Sequence, residues 1–168
     1  MEEVFKVAKA ETVADEVEPT TYEAHIKLIE PMKYLAHRNK PTTLATGEYR
    51  GLTFYVVTLG THPCAYVNVA GTEFDGMSDD EMDDTGIECH GGFTYTESTL
   101  RVTDEKGWFV GWDYAHCEDW CGYMESYKDE YRETHLKRHY TVEMIRDCMD
   151  VIDQIMKRTK EAQNGKEA

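Results

Sequence analysis

The feature that most constrains the fold is a pair of adjacent apolar runs in the middle of the chain. The first, LTFYVVTL, covers residues 52–59, and the second, CAYVNVA, covers residues 64–70, with Gly60 and Pro63 between them. Strands are enriched in β-branched and aromatic residues of this kind, whereas glycine and proline close them. The two runs therefore predict a β-hairpin.

Three further segments complete the predicted domain. Residues 88–95 and 108–114 have a strand-like composition, and the polar residues 104–107 between them are typical of a turn. From Thr141, a typical N-cap, to about Lys160, apolar residues recur at helical spacing. We therefore predict an α+β fold in which an antiparallel sheet of about four to five strands is packed by a C-terminal helix.

The two ends of the chain differ from this domain. Residues 1–46 form an acidic N-terminal segment that is permissive for helix, with a helix expected through Tyr22, Ile26 and Ile29 until Pro31 interrupts it. Residues 47–160 are expected to form the α+β domain that binds metal, and residues 161–168 a disordered tail. With 168 residues, the chain is long enough for one globular core.

The charge balance excludes one class of partner. Asp and Glu number 33 against 18 Lys and Arg, which gives a formal net charge of −15. Because such a chain repels phosphate backbones, we expect no direct binding of nucleic acid. A partner with a basic groove would be attracted instead. The alternative is that the acidity only confers solubility.

Hydropathy and cysteine content bear on the compartment. We find no apolar run long enough to span a bilayer, and residues 1–9 lack the apolar core of a secretory signal. We therefore expect a cytoplasmic protein that does not associate with membranes. In that compartment its five cysteines should be reduced thiols.

An acidic run covers residues 73–88, with eight carboxylates and no Lys or Arg, which is typical of a solvated loop. The run does not fit a calcium-binding EF-hand, because Asp84 replaces the required glycine and His90 takes the twelfth position. Its carboxylates are instead candidates for contacts with a basic partner. The candidate contact residues are Asp79, Asp80, Asp83 and Asp84.

Two histidine-containing pieces are the best candidates for a metal site. In the first, Gly91 and Gly92 follow His90 and remove side-chain bulk beside the imidazole, so that another group can approach. In the second, Asp113, His116 and Asp119 are spaced three apart, and a helical turn would place them on one face. Imidazole nitrogens and carboxylate oxygens suit zinc. We predict one divalent ion, zinc, bound by His90, Asp113, His116 and Asp119.

Two alternatives for these residues remain open. Cys117 and Cys121, together with His116 and Cys89, form a softer rival set for zinc. Otherwise the His and Asp side chains only make hydrogen bonds at the end of a strand. If residues 88–95 form a strand, Cys89 and His90 point to opposite faces and can hardly bind the same ion.

The same pieces of sequence resemble a group of small phage and prophage proteins. The shared pattern is C-x-Y-V, H-G-G-x-T-Y and G-x-D-x-A-H-x-x-D, and the resemblance covers about residues 50–155. In this chain the pattern corresponds to Cys64-Ala65-Tyr66-Val67, His90-Gly91-Gly92-Phe93-Thr94-Tyr95, Gly111-Trp112-Asp113-Tyr114-Ala115-His116 with Asp119, and Cys148 in the final helix.

The group includes inhibitors of type II CRISPR effector nucleases, some of them metal-binding. The resemblance therefore implies a phage protein that acts in the cytoplasm of a bacterial host. Positions equivalent to the four His and Asp residues of the predicted site recur in the group, whereas thiols matching Cys89, Cys117 and Cys121 do not. This favours the His/Asp ligand set. The acidic residues 1–39 have no counterpart in the group, so the resemblance implies nothing about them.

Two functions from different classes agree with these observations. The first is a metal-stabilised anti-CRISPR protein that binds a type II CRISPR effector nuclease, or another basic nucleic-acid-binding protein, and blocks target DNA loading. Aromatic residues often anchor such interfaces, and the candidates here are Trp120, Tyr123, Tyr127 and Tyr131.

The second function is a zinc-dependent hydrolase of unknown substrate, in which Glu118 or Asp119 acts as base. A shell of three protein ligands would support it, since the fourth position would then be open to water. Because we find no nucleophile elbow and no phosphate-binding loop to indicate a substrate, we favour the inhibitor over the enzyme.

Overall fold

The computed structural model describes residues 2–13, 16–126 and 135–164. Its strands are β1 (Glu2–Val13), β2 (Glu16–Leu28), β3 (Thr42–Tyr49), β4 (Leu52–Thr58), β5 (Pro63–Asn68), β6 (Tyr95–Glu97) and β7 (Phe109–Asp113). Its helices are α1 (Asp79–Asp84) and α2 (Thr141–Asn164), with a 3-10 helix at Gly122–Ser126. The fold is α+β, as the sequence predicts.

One antiparallel sheet holds all the described strands, in the order β1-β2-β3-β4-β5-β7-β6. The predicted central hairpin is β4 and β5, which pair from Phe54 with Val67 to Thr58 with Pro63. The described sheet has seven strands where four to five were predicted, since β1, β2 and β3 were not expected. None of the helices in the described ranges has the length and apolarity needed to cross a membrane.

The C-terminal helix packs on this sheet as its periodicity predicts. The apolar side of α2 is buried, with Met144, Cys148, Ile152 and Ile155 completely covered. They join the main core with Phe54 and Trp112 of the sheet. Cys148 is therefore a core residue. The helix ends at Asn164, four residues beyond its predicted end, and the rest of the expected disordered tail lies outside the described residues.

The predicted N-terminal helix is wrong, because strand β2 runs through that region. Ala24 and Ile26 are buried, whereas His25 and Lys27 are exposed. This alternation has the period of two that a strand requires, and pairing of residues 24–28 with β3 satisfies the backbone. The step of four residues from Tyr22 to Ile26 is close to one turn of a helix, but it is also two periods of a strand. Spacing at these residues therefore fits both structures.

Two further predictions need correction near the site. The strand expected at residues 88–95 is confined to Tyr95–Glu97, and residues 88–94 form turns and irregular backbone. The acidic run is not all loop either, since residues 79–84 form α1, capped by Ser78 and held by the buried side chain of Met82. The paired glycines at 91 and 92 both have positive φ, a conformation that a regular strand does not contain.

Candidate metal centre

Asp119 is a buried carboxylate in contact with three histidines. It is 2% exposed. Its Oδ2 lies 2.8 Å from His90 Nε2, and its Oδ1 lies 2.7 Å from His139 Nε2. The backbone N–H of His116 also donates to Oδ2, at 2.9 Å.

Burial by itself raises the pKa of Asp119, because it penalises the charged form. The hydrogen bonds from His90, from the backbone of His116 and from His139 outweigh burial and hold the pKa below its ordinary value. Asp119 is therefore an ionised carboxylate near neutral pH, which is the form that a metal ion binds.

A backbone bridge places His139 next to Asp119. Residues 116–119 form a turn after β7, in which the Asp119 N–H donates to the carbonyl of His116 at 3.0 Å. Asp119 then forms an isolated parallel bridge with Lys137. Because Lys137 is two residues from His139, this bridge places His139 beside Asp119.

The backbone of His139 is held from the opposite side by Tyr34. Its N–H donates to the Tyr34 hydroxyl at 2.9 Å, and that hydroxyl lies 3.3 Å from the His139 carbonyl. Burial raises the pKa of Tyr34 to about 12, so the hydroxyl stays protonated. Tyr34 therefore fixes the position of a histidine that is itself 2% exposed.

His90 enters the group from the loop before β6. Its ring stacks on Tyr114 with centroids 4.6 Å apart and an angle of 16° between the planes. The Tyr114 hydroxyl donates to Asp147 on α2 at 2.7 Å, so the ring that supports His90 is anchored to the helix. About a third of the His90 side chain is exposed, which leaves one side of the group near the surface.

Among the described residues, His90, Asp119 and His139 form a group that could hold a metal ion, with ligand atoms all within 4.8 Å of one another. Ligands of a tetrahedral zinc ion, each about 2.0–2.1 Å from the metal, lie about 3.3 Å apart. The imidazole nitrogens are now 2.7 and 2.8 Å from the carboxylate oxygens. These two nitrogen–oxygen separations would lengthen by roughly half an ångström if a metal ion replaced the shared protons.

Of the four predicted ligands, His90 and Asp119 belong to this group, His116 lies beside it and Asp113 is turned away from it. His90 and Asp119 are in direct contact, and His116 Nδ1 lies 3.4 Å from Asp119 Oδ2. Asp113 is outside the group. Its Oδ2 accepts from the Thr94 hydroxyl at 3.1 Å and its Oδ1 from the Ala115 N–H at 3.0 Å, so this carboxylate stabilises the turn after β7.

Sequence reasoning missed His139, which takes the place expected for Asp113. His139 stands 20 residues after Asp119, and neither a short motif nor a helical repeat connects the two. The only available signal was its place two residues before Thr141, the first residue of α2, where a loop is about to pack against the start of the helix. That signal indicates burial and not metal binding.

The rival cysteine set is not formed among the described residues, because the metal-ligand group contains no sulfur. Burial raises the pKa of Cys89 to about 12 and also raises the pKa of Cys121, so both are protonated thiols. Cys117 is exposed. The argument that Cys89 and His90 point to opposite faces of a strand does not apply, since both lie in a turn.

The predicted partner-binding residues fall into three classes. Asp79, Asp80, Asp83 and Asp84 are exposed on α1. Tyr123 is 47% exposed, whereas Trp120 is 1% exposed and lies under the Arg138 guanidinium, 4.2 Å from the ring centroid. Trp120 was therefore wrongly predicted as a surface anchor, because its large apolar area is used in packing. Tyr127 and Tyr131 lie outside the described residues.

No protein-family model, curated protein or solved structure matches this chain.

Proposed function

We propose that this chain is a zinc-stabilised, acidic protein that inhibits a type II CRISPR effector nuclease. In this proposal the acidic surface of α1 occupies a basic, nucleic-acid-binding surface of the nuclease and blocks target DNA loading. The observation that carries the proposal is a direct hydrogen bond between α1 and the loop that contains His90. The net charge of −15 and the resemblance to phage proteins support it.

The link between the metal centre and α1 passes through Asp83. Its Oδ1 accepts a hydrogen bond from the backbone N–H of Phe93 at 3.0 Å, three residues after His90. Phe93 is itself buried in the core, in edge contact with Trp112. A metal ion bound to His90 would restrain this loop and, through Asp83, the orientation of α1.

The surface of α1 is suited to a cationic partner. Five of its six residues are exposed carboxylates, and the sixth, Met82, is buried and anchors the helix. Ser78 caps the helix through a capping box with Glu81, which fixes the direction of the first turn. A dense acidic surface of this kind steers a basic partner and raises its association rate, with a strong dependence on salt.

Charge reversal tests this surface. The triple variant Asp79→Lys, Asp80→Lys, Asp84→Lys leaves the Asp83 hydrogen bond in place and changes the net charge by six. A matched control, Glu48→Lys, Glu97→Lys, Asp104→Lys, makes the same change at exposed residues elsewhere. We expect the α1 variant to lose inhibition of DNA cleavage by type II effectors at low salt and to associate more slowly, while the control still inhibits.

Two outcomes would contradict the proposal. If the unmodified protein neither binds nor inhibits any type II effector at low salt, the nuclease is not its partner. If both triple variants lose inhibition equally, the effect comes from total charge and not from the surface of α1.

A zinc-dependent hydrolase is the second candidate, and one observation favours it. The group of mutually close ligands has three members, and three protein ligands are typical of catalytic zinc with an open position for water. Glu118 is exposed beside the site and would be the base, because Asp119 is committed to the imidazoles. Zinc-dependent turnover of simple esters or phosphoesters that His139→Ala abolishes would support the hydrolase over the inhibitor.

A further inference from the structure

We infer that His116 is the fourth protein ligand of the metal, through its Nδ1 atom, and that the site is closed to water. The inference rests on the metal binding described under the proposed function and adds a ligand to that site. Four protein ligands distinguish a structural metal from a catalytic one.

The first observation is a buried nitrogen without a partner. His116 Nδ1 has no hydrogen-bond partner among the described residues, although the atom is completely buried. About a third of the side chain is exposed, so the ring is turned with Nδ1 inward. A buried polar atom that is left unpaired is destabilising. A metal ion would explain why this nitrogen is buried.

The second observation is the distance from this nitrogen to the centre of the group. His116 Nδ1 lies 3.4 Å from Asp119 Oδ2, too far for a strong hydrogen bond. This distance is close to the separation of about 3.3 Å between two ligands of tetrahedral zinc. The same residue donates its backbone N–H to Oδ2, so the position of its ring is tied to Asp119 at the main chain.

The third observation is the close approach of the His116 ring to Gly91, the first of the two glycines after His90. A Cβ atom at position 91 would overlap the imidazole ring of His116, and Gly91 has φ +71°. Only glycine therefore allows the ring of His116 to lie against the backbone next to His90. The two rings meet edge to face, with centroids 5.3 Å apart. The sequence is thus arranged to bring the imidazoles of His90 and His116 together.

The ligand atoms of His90, Asp119 and His139 lie within 4.8 Å of one another, and His116 Nδ1, which is 3.4 Å from Asp119 Oδ2 but outside that group, would move inward to complete a set of four. Imidazoles and one carboxylate form a site suited to zinc. With all four positions taken by protein, water could not be activated on the metal, and its role would be to hold the turn at 116–119, the loop at 90–93 and His139 together.

Cobalt substitution of the full chain tests the inference. The cobalt-loaded wild type should show the intense visible absorption of a tetrahedral ion, and added azide should leave the spectrum unchanged because no position is open. His116→Ala should weaken zinc binding, measured against a chelator, by more than the roughly 10–100-fold typical of losing an outer-shell partner. Its cobalt spectrum should then respond to azide. His25→Ala, at an exposed histidine on β2, is the matched control and should behave as wild type.

His116→Asn provides a second variant if the alanine variant does not fold, since it keeps a polar side chain but offers a poor ligand. A wild-type spectrum that changes with azide would overturn the inference. The inference would also be overturned if either variant bound zinc with an affinity within about threefold of wild type, since this is less than the loss expected even for an outer-shell partner. The variant His90→Ala distinguishes an error in the fourth ligand from an error in the metal site itself. If it loses metal while the His116 variants do not, only the fourth ligand is wrong, and if none of them loses metal, the metal site itself is wrong.

Discussion

Replacement of Asp119 by alanine should be the most damaging single change in the site. It removes the acceptor of three hydrogen bonds, at 2.7, 2.8 and 2.9 Å. It also leaves the ring of His139 buried without its carboxylate partner, since both side chains are 3% exposed. Leaving a buried hydrogen-bond donor without its acceptor costs about 1–3 kcal/mol. We expect Asp119→Ala to lower the free energy of unfolding by that amount in the absence of metal.

Metal should enlarge the difference. A zinc concentration 100 times the dissociation constant stabilises the wild type by about 2.7 kcal/mol, because only the folded chain presents the site. The alanine variant lacks the central ligand and should gain little. Urea unfolding followed by circular dichroism, with EDTA and then with zinc, measures both parts. Glu118→Ala, at the exposed neighbouring residue, is the control and should stay within about 0.5 kcal/mol of wild type.

The result that would refute this reasoning is a loss of less than about 1 kcal/mol in Asp119→Ala with EDTA, a value within the range of an ordinary point mutation. Such a result would mean that the three hydrogen bonds are replaced by water at little cost. An equal stabilisation of variant and wild type by zinc would place the metal elsewhere.

Three further predictions follow from other contacts. Gly91→Ala should reduce zinc affinity more than Gly71→Ala, because both glycines have positive φ but a Cβ atom meets a neighbouring ring only at position 91; equal effects would contradict this. Tyr34→Phe should cost about 1–3 kcal/mol in urea unfolding, since it leaves the buried N–H of His139 without an acceptor. Burial raises the pKa of Glu105, but three donated hydrogen bonds outweigh it and lower the pKa. Its stabilising effect should therefore be complete above the unfolded-state pKa of about 4.3 and be lost as the pH falls through the folded-state pKa, and Glu105→Gln should remove this part of the acid unfolding profile.

The centre of the fold could be predicted because each of its strands and its helix follows a single local pattern. Strands β4 and β5 are continuous β-branched and aromatic runs, and the apolar side of α2 repeats at helical spacing. The N-terminal strands were missed because strand β2 pairs with β3, which depends on residues about 20 positions further along the chain. Residues 22–28 do alternate strictly between apolar and polar side chains, which is a local signal for a strand, but the spacing of the apolar residues 22, 26 and 29 also fits a helix, and the prediction relied on that spacing.

The site could be predicted in part for the same reason. His90, His116 and Asp119 stand beside glycines or at turn spacing, so the local sequence marks them. Asp113 shares that spacing but lies at the end of β7 with its carboxylate turned to Thr94 and Ala115, a direction that only the geometry of the strand end decides. His139 is brought to the site by the bridge between Asp119 and Lys137, a tertiary contact that no spacing rule contains.

The most direct test of the account is the metal content of the purified full chain and of its His139→Ala variant, measured by mass spectrometry after exchange into metal-free buffer. His139 distinguishes the site described here from the one that the sequence alone predicts. The account predicts one zinc ion per chain in the wild type and no stoichiometric metal in the variant. A wild-type protein without bound metal, or a His139→Ala variant that keeps its full zinc content, would contradict it.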